Sequence, residues 1–215
     1  LPDTIHPVLR RIYASRNIKT SKDLDYSLSS LISFEKLSGI NDAVILLREI
    51  IEQNKRILIV ADFDADGATS CALAIRGLTA MGAKDVIYVV PNRFEHSYGL
   101  SPEIVNVALD YDPDLIVTVD NGISSIRGVE YARKNGVKVM ITDHHLPGRE
   151  LPNADVIINP QLADDQFPSK NLAGVGVIFY ILLALRAKLK EKDWFKNNNI
   201  DYPNLANFLD LVALG

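Results

Sequence analysis

Five short runs of β-branched and aliphatic residues punctuate the middle of the chain. They are Arg56–Val60, Val86–Val90, Leu115–Val119, Val137–Ile141 and Val156–Ile158. Each is nearly continuous in apolar character, as in strands buried on both faces. The stretches between them have helical spacing and helix-boundary residues. Gly67–Met81 is rich in Ala and Leu, Ser101-Pro102 opens a segment that Asp112-Pro113 closes, and Ser125–Asn135 is stopped by Gly136. Strand–helix alternation of this kind predicts an α/β fold: a doubly wound, mostly parallel sheet of about five strands flanked by helices, with right-handed crossovers.

The flanks read differently. Residues 1–54 predict a helical N-terminal extension. Val8, Leu9, Ile12 and Tyr13 recur at helical spacing after Pro7, and Asn41-Asp42 can cap a helix whose apolar face is Val44, Ile45, Leu47, Ile50 and Ile51. Past Asn159-Pro160 a polar loop runs to Lys170. Gly174-Val175-Gly176 then opens an apolar helix to about Leu189, a loop spans 193–203, and Asn204–Leu214 reads as a last helix. The simplest partition is an extension over 1–54 and one α/β domain over 55–215.

Composition narrows the class. Of 215 residues, 47% are hydrophobic, enough for a sizeable core and against disorder. A net charge of −4 argues against a uniformly basic nucleic-acid coat but leaves room for a local basic groove. The single cysteine, Cys71, rules out a disulfide framework and a thiolate zinc site. The longest apolar run, near 175–185, is too short to span a bilayer. The chain opens without the charged region of a signal peptide. A cytoplasmic protein with no membrane partner is expected, and the missing initiator Met suggests a trimmed chain.

The candidate chemistry lies just after three of the strands. Asp62-Phe63-Asp64-Ala65-Asp66-Gly67, Asp120-Asn121-Gly122 and Asp143-His144-His145 all fall at the carboxyl ends of parallel strands, on the edge where ligands bind in such sheets. Side chains at alternate positions of an extended segment share a face, so Asp62, Asp64 and Asp66 are expected to converge. Like charges that close need cations between them. An EF-hand would need a Glu where the chain has Leu73. A lone Asp-Asn-Gly is often only a turn, but Asp120 stands parallel to the first acidic loop and could bridge two metals. Adjacent imidazoles on an extended chain point to different sides, so one can bind metal while the other meets substrate or donates a proton. Asp143 could orient one of them through its second nitrogen. Hard carboxylates with imidazole suit Mn²⁺ or Mg²⁺, and the set predicts a two-metal phosphoesterase. Arg93, in the loop after the second strand, is the candidate phosphate clamp. Tyr98 in the same loop could stack on a base or bond a phosphate.

These three motifs together resemble the DHH phosphoesterase superfamily. Pro91–Ser101, Val117–Ser125, Asn159-Pro160 and Leu172–Val177 resemble its exonuclease branch in particular, and the likeness extends over nearly the whole chain. The resemblance implies that 55–215 is a DHH phosphoesterase domain, truncated at its C-terminal end. Asp64, Asp66, Asp120 and His144 match the family's metal ligands, with Asp120 bridging. His145 matches the histidine near the scissile phosphate, and Asp62 belongs to the catalytic set as ligand or supporting carboxylate. The implied activity is 5′-to-3′ degradation of single-stranded DNA to 5′-mononucleotides with two Mn²⁺ or Mg²⁺ ions, in recombinational and mismatch repair. The implied partners are single-stranded-DNA-binding protein and a RecQ-type helicase. Glu95–Tyr98 departs from the family pattern, which leaves His96 and Ser97 unassigned. The family carries a further metal-binding Asp and further domains beyond the point matching Gly215, so this chain alone is expected to bind metal weakly and cleave DNA poorly. The alternatives are a DHH-type phosphoesterase of nanoRNA, cyclic dinucleotides or pyrophosphate, and a non-enzymatic scaffold of the same fold.

Overall fold

A computed structural model describes residues 1–25, 27–92 and 99–215. Contacts divide the chain into two compact units, Leu1–Ser33 and Phe34–Gly215. The first unit holds helix α1 (Pro7–Ser15) and short 3₁₀ turns. Its Val8, Leu9 and Ile12 stay exposed.

The second unit opens with a 3₁₀ turn, Phe34–Lys36, followed by α2 (Ile40–Glu52), so this helix lies inside the larger unit. It is capped by left-handed Gly39 instead of the Asn41-Asp42 pair. Its buried face holds Val44, Leu46, Leu47, Ile50 and Ile51, while Ile45 points outward at 53% exposure. The sheet follows: β1 (Ile57–Ala61), β2 (Val86–Val89), β3 (Leu115–Val119), β4 (Lys138–Thr142) and β5 (Val156–Ile158). All pairings are parallel and the order is β2-β1-β3-β4-β5. Every residue of β1 and β3 is buried, as their unbroken apolar runs require.

Alternate strand residues feed two cores. Leu58, Val60, Ile116, Val139 and Ile141 pack with α4 (Pro102–Leu109) and α5 (Ile126–Lys134) through Ile104, Val105, Val129 and Ala132. Val117 and Met140 face Leu47 of α2, Ala74 and Leu78 of α3 (Ala65–Ala80), and Ile178, Ile181 and Leu182 of α6 (Gly174–Glu191). Helices thus cover both faces, α4 and α5 on one, α2, α3 and α6 on the other. The order reverses between β1 and β3, and at such a switch point successive loops diverge and leave a crevice at the strands' carboxyl ends.

Two expectations past residue 190 are refined. The 193–203 stretch holds a short helix α7 (Trp194–Asn197), fixed by the Trp194 indole donating to the Met81 carbonyl. The final segment is a 3₁₀ turn, Leu205–Phe208, running into α8 (Leu209–Val212). Cys71 is buried in α3, and that burial pushes its thiol up to about 11. Among the described residues no helix is long and apolar enough to cross a membrane.

Candidate metal centre

The first acidic loop bends sooner than simple alternation implies. Asp62 and Asp64 follow β1, but α3 starts at Ala65, so Asp66 sits in the helix's first turn and not on an extended segment. The cause is local. Asp64 caps the helix, its Oδ1 accepting the Gly67 N–H at 2.9 Å, the usual task of an Asp at that position. Gly67 lets this turn fold back on the strand end, since a Cβ there would stand 2.5 Å from the Asp62 carbonyl oxygen.

Asp120 follows β3 directly and sits in the left-handed region at φ 61. The turn after it is held by a buried net. Thr118 Oγ1 donates to the Asn121 carbonyl at 2.7 Å, and Thr142 Oγ1 donates to the Thr118 carbonyl at 2.7 Å. The Asn121 amide donates to Val60 O at 3.0 Å and Val119 O at 2.9 Å, lacing the ends of β1 and β3 together. Its Oδ1 is buried with no hydrogen-bond partner among the described residues, so the donors are what this side chain supplies to them.

After β4, buried Asp143 collects four N–H or ring-nitrogen contacts. Its Oδ2 accepts from Ile123 N at 2.9 Å, and its Oδ1 accepts from His144 N at 2.7 Å and His145 N at 3.1 Å and meets His145 Nδ1 at 2.7 Å. Curling both amides onto one oxygen removes the extended geometry that would send the imidazoles to different sides. The two rings are neighbours, with centroids 4.6 Å apart. Asn159, fully buried at the end of β5, donates to the His145 carbonyl at 2.9 Å and braces the turn from its other side.

These loops meet at Asp120. One oxygen from each of Asp62, Asp64 and Asp120 lies within 4.8 Å of the others, and Asp120, His144 and His145 form a second such group. His144 Nε2 stands 3.0 Å from Asp120 Oδ1 and 3.5 Å from Asp66 Oδ2. Burial pushes the Asp120 carboxyl up to about 6, with Asp66 and Asp64 adding to the rise and the His144 hydrogen bond opposing it. His144 is held above its ordinary value, chiefly by its hydrogen bond to Asp120 and against the pull of burial. Divalent cations suit this donor set: hard carboxylates and imidazole converge, and their crowding raises the proton affinity of the central one.

A cleft of about 910 Å³ opens beside the cluster. Its lining includes Asp62, Phe63, Asp64, Asp143 and His145, with Ser101, Ser125 and Arg127 from the starts of α4 and α5. Arg93 and Tyr98 lie outside the described residues, as does His96. Sequence reasoning missed the laces: Asn121, Thr118, Thr142 and Asn159. Asn121 and Asn159 stand within quoted motifs, but nothing in their spacing shows which carbonyls they reach.

Comparison with known proteins finds likenesses over most of the chain. Residues 56–215 match the model of the DHH family, N-terminal domain. The chain is 54% identical over all 215 residues to the single-stranded-DNA-specific exonuclease RecJ of Salmonella typhimurium, spanning 37% of that relative's length. Among solved structures, exonuclease RecJ bound to manganese superposes with a TM-score of 0.72 at 36% identity, covering 85% of this chain and 43% of that one. RecJ of Thermus thermophilus in complex with Mn²⁺ gives 0.71 at 34% identity, covering 94% and 26%.

Proposed function

The chain belongs to the DHH family, and from that premise we propose that it forms the catalytic core of a single-strand-specific 5′-to-3′ exodeoxyribonuclease. The observation that carries this reading is the convergence of Asp62, Asp64 and Asp120 with His144 and His145 at the sheet's switch point. The identity to RecJ relatives supports single-stranded DNA as substrate.

Asp64, Asp66, Asp120 and His144 would hold Mn²⁺ or Mg²⁺, with Asp120 central among them and Asp62 beside them. Bound there, the cations would supply Lewis-acid activation of a phosphoryl group and of an attacking water. The protein's own part is positioning and proton handling. Asp143 fixes the His145 ring so that Nδ1 carries the hydrogen facing the carboxylate and Nε2 is presented to the cleft. With the ring doubly protonated beside the Asp143 carboxylate, its Nε2–H can donate to an oxygen of the scissile phosphate and pass that proton to the leaving 3′ oxygen. The phosphate clamp proposed for Arg93 and the base contact proposed for Tyr98 rest on their place in the loop after β2. The resemblance alone supports a role in recombinational and mismatch repair beside a single-stranded-DNA-binding protein and a RecQ-type helicase. It also supports the reading of 1–54 as an extension to the catalytic domain.

The test uses 5′-phosphorylated single-stranded DNA with Mn²⁺. Release of nucleotides is followed for the chain itself and for the chain substituted into the matching segment of the Salmonella relative, each with and without Asp120→Ala. Mononucleotide release that Asp120→Ala abolishes is expected. Equal release by the variant, or turnover of cyclic dinucleotides or pyrophosphate in place of DNA, contradicts the proposal.

A further inference from the structure

Helix α6 begins without a capping side chain of its own. Its N-cap is Ala173, which has no oxygen to offer, although the first four N–H groups of any helix need partners. Two of these partners come from the metal cluster. The Gly174 N–H donates to Asp66 Oδ2 and the Val175 N–H to Asp66 Oδ1, both at 2.7 Å. Ser70 Oγ adds a longer contact to Oδ1 at 3.4 Å. Both oxygens of Asp66 are therefore engaged by main chain, and the carboxylate plane is set by a helix 108 residues further on. In that orientation Oδ2 faces His144 Nε2 at 3.5 Å.

The same helix end also touches the central carboxylate. A Cβ built on Gly174 would stand 2.8 Å from both Cβ and Oδ1 of Asp120 and 3.0 Å from its Cγ. The helix can approach this closely only because residue 174 lacks a side chain. Gly176 differs. A Cβ there would meet Leu172 Cδ1 at 2.5 Å, the far end of a flexible side chain, with no acidic group among its nearest neighbours.

We infer that the Gly174–Val175 amides at the start of α6 are a positioning element for metal binding, clamping Asp66 by both oxygens while Gly174 leaves Asp120 its place. The inference rests on the metal-site reading above. It gives a purpose to the Leu172–Val177 stretch that the catalytic assignments leave unused. The helix's positive end also offsets part of the repulsion among the carboxylates, which helps keep them together before cations arrive. A merely structural cap would stabilise α6 and leave cation affinity alone, so affinity and stability must be read separately.

The test is Mn²⁺ titration by calorimetry of the wild type, Gly174→Ala and Gly176→Ala, with thermal unfolding of each metal-free protein. Gly174→Ala should weaken Mn²⁺ binding about tenfold or more, the usual scale for removing a group that orients a ligand. Gly176→Ala should bind within about twofold of wild type on the same scale. Wild-type affinity in Gly174→Ala, or equal losses in both alanine variants, overturns the inference while leaving the metal site standing. A wild type that binds no Mn²⁺ overturns both. Should Gly174→Ala fail to fold, Mg²⁺ titration of the ¹⁵N-labelled wild type decides. The Gly174 and Val175 amide resonances should move in step with those of His144, and their staying fixed as His144 moves contradicts the clamp.

Discussion

The Nδ1 atom of His145 lies 2.7 Å from Oδ1 of Asp143, and that same oxygen accepts the main-chain N–H groups of His144 and His145. One buried carboxylate thus sets both the backbone turn and the ring that faces the cleft. His145→Ala should lower phosphodiester cleavage by about 10²–10⁴-fold, the range for losing a positioned acid or base. Mn²⁺ affinity should stay near wild type, because Asp64, Asp66, Asp120 and His144 are untouched. Cleavage kinetics beside Mn²⁺ titration make the check.

Asp143→Asn keeps the volume but loses the charge, and its amide must set a donor against some of the four groups that now find an acceptor. A loss of about 1–3 kcal/mol in urea unfolding is expected from the mismatched buried groups. Cleavage should fall as well, since the His145 ring loses its fixed orientation. Unchanged stability would contradict the role given to this carboxylate.

The Asp120–His144 pair gives the metal-free protein a pH signature. Burial holds the Asp120 carboxyl up at about 6 in the folded state, above its ordinary 3.8. The folded protein therefore binds this proton more tightly, and the group's contribution to stability falls as pH rises from about 4 to about 6. His144 is also held up, so its contribution is present below its ordinary 6.5 and is lost as pH rises through the raised value. Both act in the same direction. Without metal, Asp120→Asn should be more stable than wild type by about 1–2 kcal/mol near pH 8, with the gap closing toward about pH 4. Added Mn²⁺ should reverse the order by stabilising only the wild type. Chemical unfolding across pH, with and without Mn²⁺, measures this directly.

Asn121 is the lace between β1 and β3. Asn121→Ala leaves the carbonyls of Val60 and Val119 without their side-chain donor and should cost about 1–3 kcal/mol. Asn121→Asp should cost more, because it sets a carboxylate against two carbonyl oxygens. Both should weaken Mn²⁺ binding, since Asp62–Asp66 and Asp120 hang from the two strand ends that Asn121 joins. A stability loss with unchanged affinity would make Asn121 a packing residue only.

Much of this architecture is legible from patterning, because strands buried on both faces must be continuous in apolar character. All five strands lie within a residue of where those runs place them, and their carboxyl ends bring the three acidic motifs to one edge. The sequence could not show how the loops turn. Asp64 uses its side chain to cap α3, which puts Asp66 on the helix, and Asp143 curls the His144-His145 backbone. Both are contests between local side-chain hydrogen bonds and extended geometry, settled by folding and not by spacing. Asp66 meets the α6 amides across 108 residues, a contact set by helix packing that no local pattern encodes.

If the carboxylates around Asp120 hold divalent cations, anomalous diffraction from crystals soaked in Mn²⁺ will locate them there. Anomalous density is expected in contact with Asp120, with Asp64 on one side and Asp66 and His144 on the other, and it should be lost in Asp120→Ala. Density confined to other sites, or density that persists unchanged in the variant, would contradict the metal-site reading.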